Sequence, residues 1–246
     1  MRTITTQKKQ FEYNDKLSKV YLKRLVRLFS TFNRAMGGLS MDELNKLTGA
    51  PNEIIQLSDN LYSNIQALIF EYLLAVATYY YGYVTKKKPE NGYFHGEVDR
   101  FDGQKGRIDF DPNDFVNDYL ESYNPVTQYL FFPEVERKKS RLVEAVISVQ
   151  TPKHTKALKI AAIAAAIATA QRLIARQMEQ YGDCVTLAAT QEAYKDCGVK
   201  MVVWHTQEDL KVCPDCDELD KKVFPIDQAP PPQHYNCRCW VSPLKV

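Results

Sequence analysis

The sequence predicts an α+β protein: a mainly α-helical body followed by a small C-terminal β unit that zinc would stabilise. Three observations carry this. Residues 7–84 and 134–196 repeat apolar side chains every three or four positions, the period of an amphipathic helix. Alternating segments that suit strands occur around 101–110 and from Lys200 onward. Four of the six cysteines and one of the four histidines fall within the 27 residues from Cys213 to Cys239, a density that suits metal binding.

In chain order, residues 7–36 form a long helix on the stripe Leu17, Tyr21, Leu25, Leu28 and Phe32, ended by Gly37-Gly38. A basic stripe of Lys16, Lys19, Lys23, Arg27 and Arg34 runs beside it. From Met1 to Gly38 there are nine Lys and Arg against two Asp and Glu, so this face is either solvated or meets an acidic surface. Ser40 and Glu43 make a capping box for a short helix to about Leu47, and Gly49 stops it. Pro51 suits the first turn of a second long helix, to about Val84, on Ile54, Leu57, Leu61, Ile65, Leu68, Tyr72 and Ala75. The tyrosines Tyr79, Tyr80, Tyr81 and Tyr83 near its end read as interior or interface anchors.

Residues 85–114 change character. Phe101 to Phe110 suits a β-hairpin with a glycine turn, within a stretch from Glu90 to Glu121 that holds nine acidic and three basic residues. The stretch is a polar loop or a surface for the basic helix of another copy. Its acidic pairs lack the ligand ladder of a calcium loop. Helices are expected from Phe115 to about Tyr123, ended by Pro125, and from Glu134 to Val149. Another, rich in alanine, should run from Pro152 to Tyr181. Gly182 should end that one, and a last helix should run from Cys184 to Asp196 with Gly198 behind it. The small side chains of Ala161 to Ala168 permit close helix approach in the body or against another subunit. Strands are expected at Lys200–His205 and Arg238–Ser242. The chain thus divides into a body, 1–198, with a polar insert at 85–114, and a C-terminal unit, 199–246, whose small core metal would help to fold.

A chain of 246 residues with 45% hydrophobic and 25% charged residues and a net charge of +2 is ordinary for a soluble protein and makes no global case for nucleic acid. Met1 to Lys9 is polar and basic, with no apolar run of a signal peptide behind it. The apolar run Ile160–Ala170, bracketed by Lys159 and Arg172, has eleven residues, too few to span a bilayer. These features point to a product of the cytoplasm with reduced thiols and no membrane partner, which favours metal over disulfide.

Cys213-Pro-Asp-Cys216 can grip one ion, and His234-Tyr-Asn-Cys237-Arg-Cys239 supplies the second pair of ligands. Thiolate and imidazole ligands point to Zn²⁺ rather than Ca²⁺ or Mg²⁺. There is one ligand too many. Residues 237 and 239 on an extended strand point to opposite faces, so one ion should take one of them. The expected set is Cys213, Cys216, His234 and Cys237 with Cys239 a buried thiol. The alternative uses Cys239 and buries Cys237. Without metal, the cysteines would be small core residues or a disulfide pair.

The order Trp204-His205-Thr206, Asp209, Val212-Cys213-Pro214-Asp215-Cys216, Leu219-Asp220, Phe224, Pro232, His234, Asn236-Cys237-Arg238-Cys239 and Pro243 resembles the C-terminal motif of the phage head morphogenesis family, the Mu F-like minor head proteins. The match covers about forty residues. Thr190-Gln191-Glu192-Ala193 is similar to a Thr-Glu stretch that precedes the motif in that family. Lys221 stands where the family usually has glycine, so the local turn is expected to differ. The resemblance implies a minor capsid protein of a tailed bacteriophage, located in the virion near the portal protein and supporting head assembly or DNA delivery. Its implied partners are the portal, the major capsid or scaffolding protein, and packaged DNA through the basic N-terminal helix.

Two other classes were weighed. A zinc enzyme would need an open metal position and a general base, for which Glu208, Asp209, Asp215 and Glu218 are the nearby carboxylates. A deaminase signature is only half present: Val212 stands where proline belongs, and Gln207 where the acid/base belongs. No catalytic residue is expected. A zinc-ribbon nucleic-acid binder would need a basic surface, yet Asp215, Asp217, Glu218 and Asp220 offset Lys221, Lys222 and Arg238.

Overall fold

The computed structural model describes residues 1–4, 7–49, 51–122, 131–148, 155–207, 212–231, 237 and 239–244, with backbone alone at 7–10, 47–49, 51, 53–55, 131–132 and 134. In chain order the elements are α1 (Gln7–Gly38), α2 (Met41–Gly49), α3 (Pro51–Thr85), β1 (Phe94–Asp99), β2 (Lys105–Phe110), α4 (Pro112–Glu121), α5 (Phe131–Ser148), α6 (Lys156–Asp196), β3 (Met201–His205), α7 (Pro214–Leu219), β4 (Val223–Pro225), a 3₁₀ turn (Ile226–Gln228) and β5 (Trp240–Pro243). The fold is mainly helical with two small antiparallel sheets, as the sequence predicted.

The chain forms two compact units that do not follow chain order. Unit 1 is Met1–Ser18, Tyr72–Leu130 and Gln180–Val246; unit 2 is Lys19–Glu71 and Phe131–Glu179. The division expected at residue 198 is therefore not the one the contacts draw. The physical reason is that α1, α3 and α6 each contribute to both units.

Unit 2 is all helix. Along α1 it buries Tyr21, Leu25, Phe29, Phe32 and Met36, and along α6 Ile163, Ile167, Ala170 and Ile174, each set at helical spacing. The predicted Leu28 is only half-buried, because the inward face falls on Phe29. The capping box forms: Ser40 N–H donates to Glu43 Oε2 at 2.7 Å, and Glu43 N–H to Ser40 Oγ at 3.2 Å. Lys159 is buried and donates to Asn45 Oδ1 at 2.8 Å, a charged group held inside by a hydrogen bond. The alanine segment is not wholly enclosed, since Ala161, Ala165, Ala168 and Leu173 are exposed. Beside it, α5 and α6 flank a groove of about 480 Å³ lined by Lys138, Arg141, Leu142, Ala165, Thr169 and Leu173 among others.

The stretches Gln56–Thr85 and Lys156–Asp196 are each long and apolar enough, by length and composition alone, to cross a membrane. The eleven-residue run read from the sequence understates this. Half of the most apolar window in the first is buried inside the protein, as in a core helix, and less than a third of that in the second.

Unit 1 is stitched by polar and aromatic contacts. Asn14 is buried and its amide donates to Asp183 Oδ1 at 2.7 Å, while its side-chain oxygen accepts from Tyr72 Oη. Asn14 N–H donates to Tyr80 Oη at 3.3 Å, and Tyr79 stacks on Tyr13 with centroids 3.6 Å apart. The tyrosine run is thus an interior anchor. The hairpin is longer than predicted: β1 pairs with β2 from Phe94↔Phe110 to Asp99↔Lys105. It is not merely a polar loop. Its inner face buries Phe94, Val98, Ile108 and Phe110, and Phe110 stacks on Tyr81 at 3.8 Å.

Gly182 does not end a helix; α6 runs through it for 41 residues. A Cβ at 182 would fall 2.7 Å from Tyr72 Cζ and closer still to its hydroxyl, so this glycine makes room for α3. The true end comes at Gly198, whose φ is +77°. There Gly198 N–H donates to Lys195 O at 2.8 Å and Val199 N–H to Tyr194 O at 2.9 Å, the pair of bonds of a Schellman cap.

Four smaller differences complete the picture. Helix α4 begins earlier than expected, at Pro112, because Asp111 caps it by accepting from Asn113 N–H at 2.8 Å. Pro133 lies in the first turn of α5, where a missing N–H costs nothing. Leu57, assigned to the inner face of α3, is exposed. The expectations at Tyr123, Pro125, Val149 and Pro152 fall outside the described residues.

Candidate metal centre

The last fifty residues build a three-stranded sheet in the order β4-β3-β5, with β3 central and both pairings antiparallel. Val202 faces Phe224 on one side; on the other, Trp204 pairs with Val241 and His205 with Trp240. Val202 and Trp204 are fully buried by the alternation of the strand. Their core is not separate. Tyr81, Phe94, Phe110, Tyr194, Trp204, Val241 and the cysteines 197, 216, 237 and 239 form one apolar cluster.

Between β3 and β4 the chain is pinned by Asp220, which accepts from Thr206 N–H at 2.8 Å and from Thr206 Oγ1 at 3.1 Å. Burial opposes its charge, but these bonds and Lys221 hold the Asp220 carboxyl below its ordinary range. Lys221 adopts φ +60° and donates its N–H to Trp204 O at 2.8 Å. This is the left-handed conformation that glycine adopts most easily. The turn therefore keeps a glycine-type shape although lysine occupies it, contrary to the expectation that the substitution would alter it.

Helix α7 was not expected, although Pro214 suits the first turn of a helix and was a signal for it. It places Cys213 at the N-cap, where its sulfur accepts from Cys216 N–H at 3.3 Å. Cys216 is the hub of the cluster, in contact with Cys213 through its N–H and with Cys237 through its sulfur. The Cys216 and Cys237 sulfurs are 3.8 Å apart, and the sulfurs of Cys216, Cys237 and Cys239 all lie within 4.8 Å of one another. These three residues are buried, and Cys213 is half-buried against the same cluster. A disulfide needs sulfurs at about 2.05 Å, and none of the six cysteines is in one.

This corrects one geometric expectation. Cys237 and Cys239 do not point to opposite faces, because β5 begins only at Trp240 and strand alternation does not govern them. Their sulfurs converge on Cys216. His234, Asn236 and Arg238 lie outside the described residues, as do Glu208 and Asp209.

The site suits a soft cation on its chemistry. Burial, then the neighbouring Cys237, pushes the Cys216 thiol well up; the hydrogen bond with Cys237, then burial, does the same for Cys239. As free thiols they are neutral at physiological pH, and a bound cation is what would make them thiolates. The buried Trp204 Nε1–H has no hydrogen-bond partner among the described residues. It sits in the same cluster, where thiolate sulfur would be an acceptor. Cys197 is a contrast: it lies outside the sulfur group, and burial alone accounts for most of its rise to about 11. His205 also stands apart, its Nε2 2.8 Å from Ser242 Oγ and its ring stacked on Trp240.

Residues 142–242 match the family described as Phage Mu protein F like protein. Over that span, less than half of its length, the chain is similar to the phage head morphogenesis family. No curated protein and no solved structure matches it.

Proposed function

We propose that the chain is a minor capsid protein of a tailed bacteriophage, carried in the virion interior near the portal, where it supports assembly or DNA delivery. The observation that carries this is the family match, which runs from α5 through α6 and the cysteine cluster to β5. The role is one of binding, with no catalytic residue. Portal protein is the main partner, with major capsid or scaffolding protein as further neighbours. The C-terminal cluster is a structural zinc clasp. When bound, the ion supplies charge and four bonds that tie α7 to the segment before β5.

The basic face of α1 is the proposed docking element. Lys19, Lys23, Arg27 and Arg34 are exposed on unit 2, which carries fifteen Lys and Arg against nine Asp and Glu. Removing α1 would not test this, because its other face is core. Reversing Lys19, Lys23 and Arg27 to glutamate is the better experiment. Co-purification with portal should fall; unchanged binding rules this face out. Loss instead of salt-dependent retention on DNA would favour the second reading, a nucleic-acid contact by the same stripe. Mass spectrometry of purified particles tests the location, and absence from them overturns it.

A further inference from the structure

We propose that the cluster is an all-thiolate site: Cys213, Cys216, Cys237 and Cys239 together hold one zinc-class ion, and His234 is not a ligand. The assignment rests on the clasp reading above and specifies it further. Three observations converge. First, the sulfurs of Cys216, Cys237 and Cys239 lie within 4.8 Å of one another, and Cys213 Sγ accepts from Cys216 N–H at 3.3 Å. No described residue outside the cysteines joins the group.

Second, the spacing of the three converging sulfurs suits one face of a coordination tetrahedron. Zinc–sulfur bonds of about 2.3 Å at tetrahedral angles place neighbouring sulfurs about 3.8 Å apart. The Cys216 and Cys237 sulfurs are 3.8 Å apart, and Cys239 lies within 4.8 Å of both. Neutral thiols packed as core residues have no reason to converge on one point from two segments more than twenty residues apart. Hydrophobic burial alone is satisfied by scattered placement, as at Cys184 and Cys197, which are buried and lie outside the group.

Third, N–H donors stand where thiolates need them. Cys216 N–H points at Cys213 Sγ at 3.3 Å, a bond that is stronger to a thiolate than to a thiol. Four thiolates around a divalent ion leave excess negative charge, which such donors stabilise. The unused Trp204 indole N–H in the same cluster is a second donor of this kind. With Cys213 drawn in as the fourth ligand, four sulfurs around one ion would make a closed tetrahedral site, and a fifth ligand would have no position to fill. An all-sulfur set also selects soft ions such as Zn²⁺ or Cd²⁺ over Mg²⁺ and Ca²⁺.

The test uses the full chain, purified under reducing conditions and loaded with Zn²⁺. X-ray absorption at the zinc edge should show a single sulfur shell near 2.3 Å. A nitrogen shell at about 2.0–2.1 Å overturns the assignment. The same protein, stripped and titrated with Co²⁺, should bind one equivalent with thiolate charge-transfer absorption. His234→Ala should leave that spectrum and its endpoint unchanged, whereas Cys239→Ser and Cys213→Ser should each weaken it or abolish binding. The zinc-edge measurement needs no variant, so misfolding of a cysteine variant does not shield the proposal. If His234→Ala loses the ion while Cys239→Ser keeps it, the all-thiolate assignment fails and the clasp stands. If the wild-type chain takes up no metal, the clasp itself fails, and this assignment with it.

Discussion

Unit 1 and unit 2 are built by different means. Unit 2 buries regular apolar stripes on helices and is basic, with fifteen Lys and Arg against nine Asp and Glu. Unit 1 joins helix ends, a hairpin and a three-stranded sheet, and is acidic, with seventeen against twenty-one. Its core depends on single placements: a tyrosine hydroxyl on an asparagine, a glycine under a ring, a lysine in a left-handed turn, sulfurs converging on Cys216. Helices satisfy their own backbone, so apolar periodicity suffices to pack them. Short strands need partners and fixed joints. The prediction from this contrast is that point changes in unit 1 act locally and strongly while the helical packing of unit 2 persists.

The largest effect is expected at Cys216. Structural zinc contributes on the order of 10 kcal/mol to small folds. Cys216→Ser should lose the ion and the amide protection of β3 and β5, while protection persists at Leu25–Met36 in α1. Hydrogen exchange followed by mass spectrometry checks both. Loss of protection everywhere would mean that the units are not energetically distinct.

Next comes Gly182→Ala. Helix propensity favours alanine by about 1 kcal/mol. The overlap with Tyr72 outweighs it, so a net loss of about 2 kcal/mol is expected from denaturant unfolding. In a Tyr72→Ala background that loss should disappear. If alanine stabilises the wild-type chain, the glycine is not there to make room for Tyr72.

Lys221→Gly should act the other way. A non-glycine residue in the left-handed region carries a cost of about 1 kcal/mol, so the variant should melt a few degrees higher. An unchanged or lowered melting temperature would show that the side chain offsets the strain through its ion pair with Asp220, whose charges are 3.4 Å apart.

The smallest effect concerns Asp196, at the end of α6. Burial raises its pKa, only partly opposed by the hydrogen bond it accepts from Tyr81 Oη at 2.6 Å. A raised carboxyl pKa means that the folded state holds the proton more tightly. Its contribution is therefore present below the unfolded value and lost as pH rises through the folded one. Asp196→Asn keeps the acceptor without the charge. It should stabilise the protein at neutral pH, with the gain shrinking as pH falls through the raised folded pKa and gone below the unfolded value of about 4. Chemical denaturation at several pH values checks this, and a gain that does not vary with pH would mean that charge is not the cause.

The sequence made the helical unit largely readable. The inward stripe of α1 was displaced by one position at Leu28 and Phe29 because two adjacent apolar residues compete there and periodicity cannot rank them. The capping box and the glycine stops at 38 and 49 formed as read. Gly182 misled because glycine marks both helix ends and close approach, and only the packed partner tells which. The compact units share three helices, a non-local fact that no boundary read along the chain can show. In the cysteine cluster the residue types pointed to metal, but the opposite-face argument assumed a strand where none exists. Lys221 kept its turn because the surrounding hydrogen bonds, not the residue, define it.

The central claim is that the thiol cluster is a metal clasp. Metal analysis of the purified, reduced full-length chain tests it most directly. The account predicts about one zinc per chain, retained on desalting and removed together with the amide protection of β3 and β5 by a strong chelator. A ratio well below one, with β3 and β5 fully protected, would contradict it.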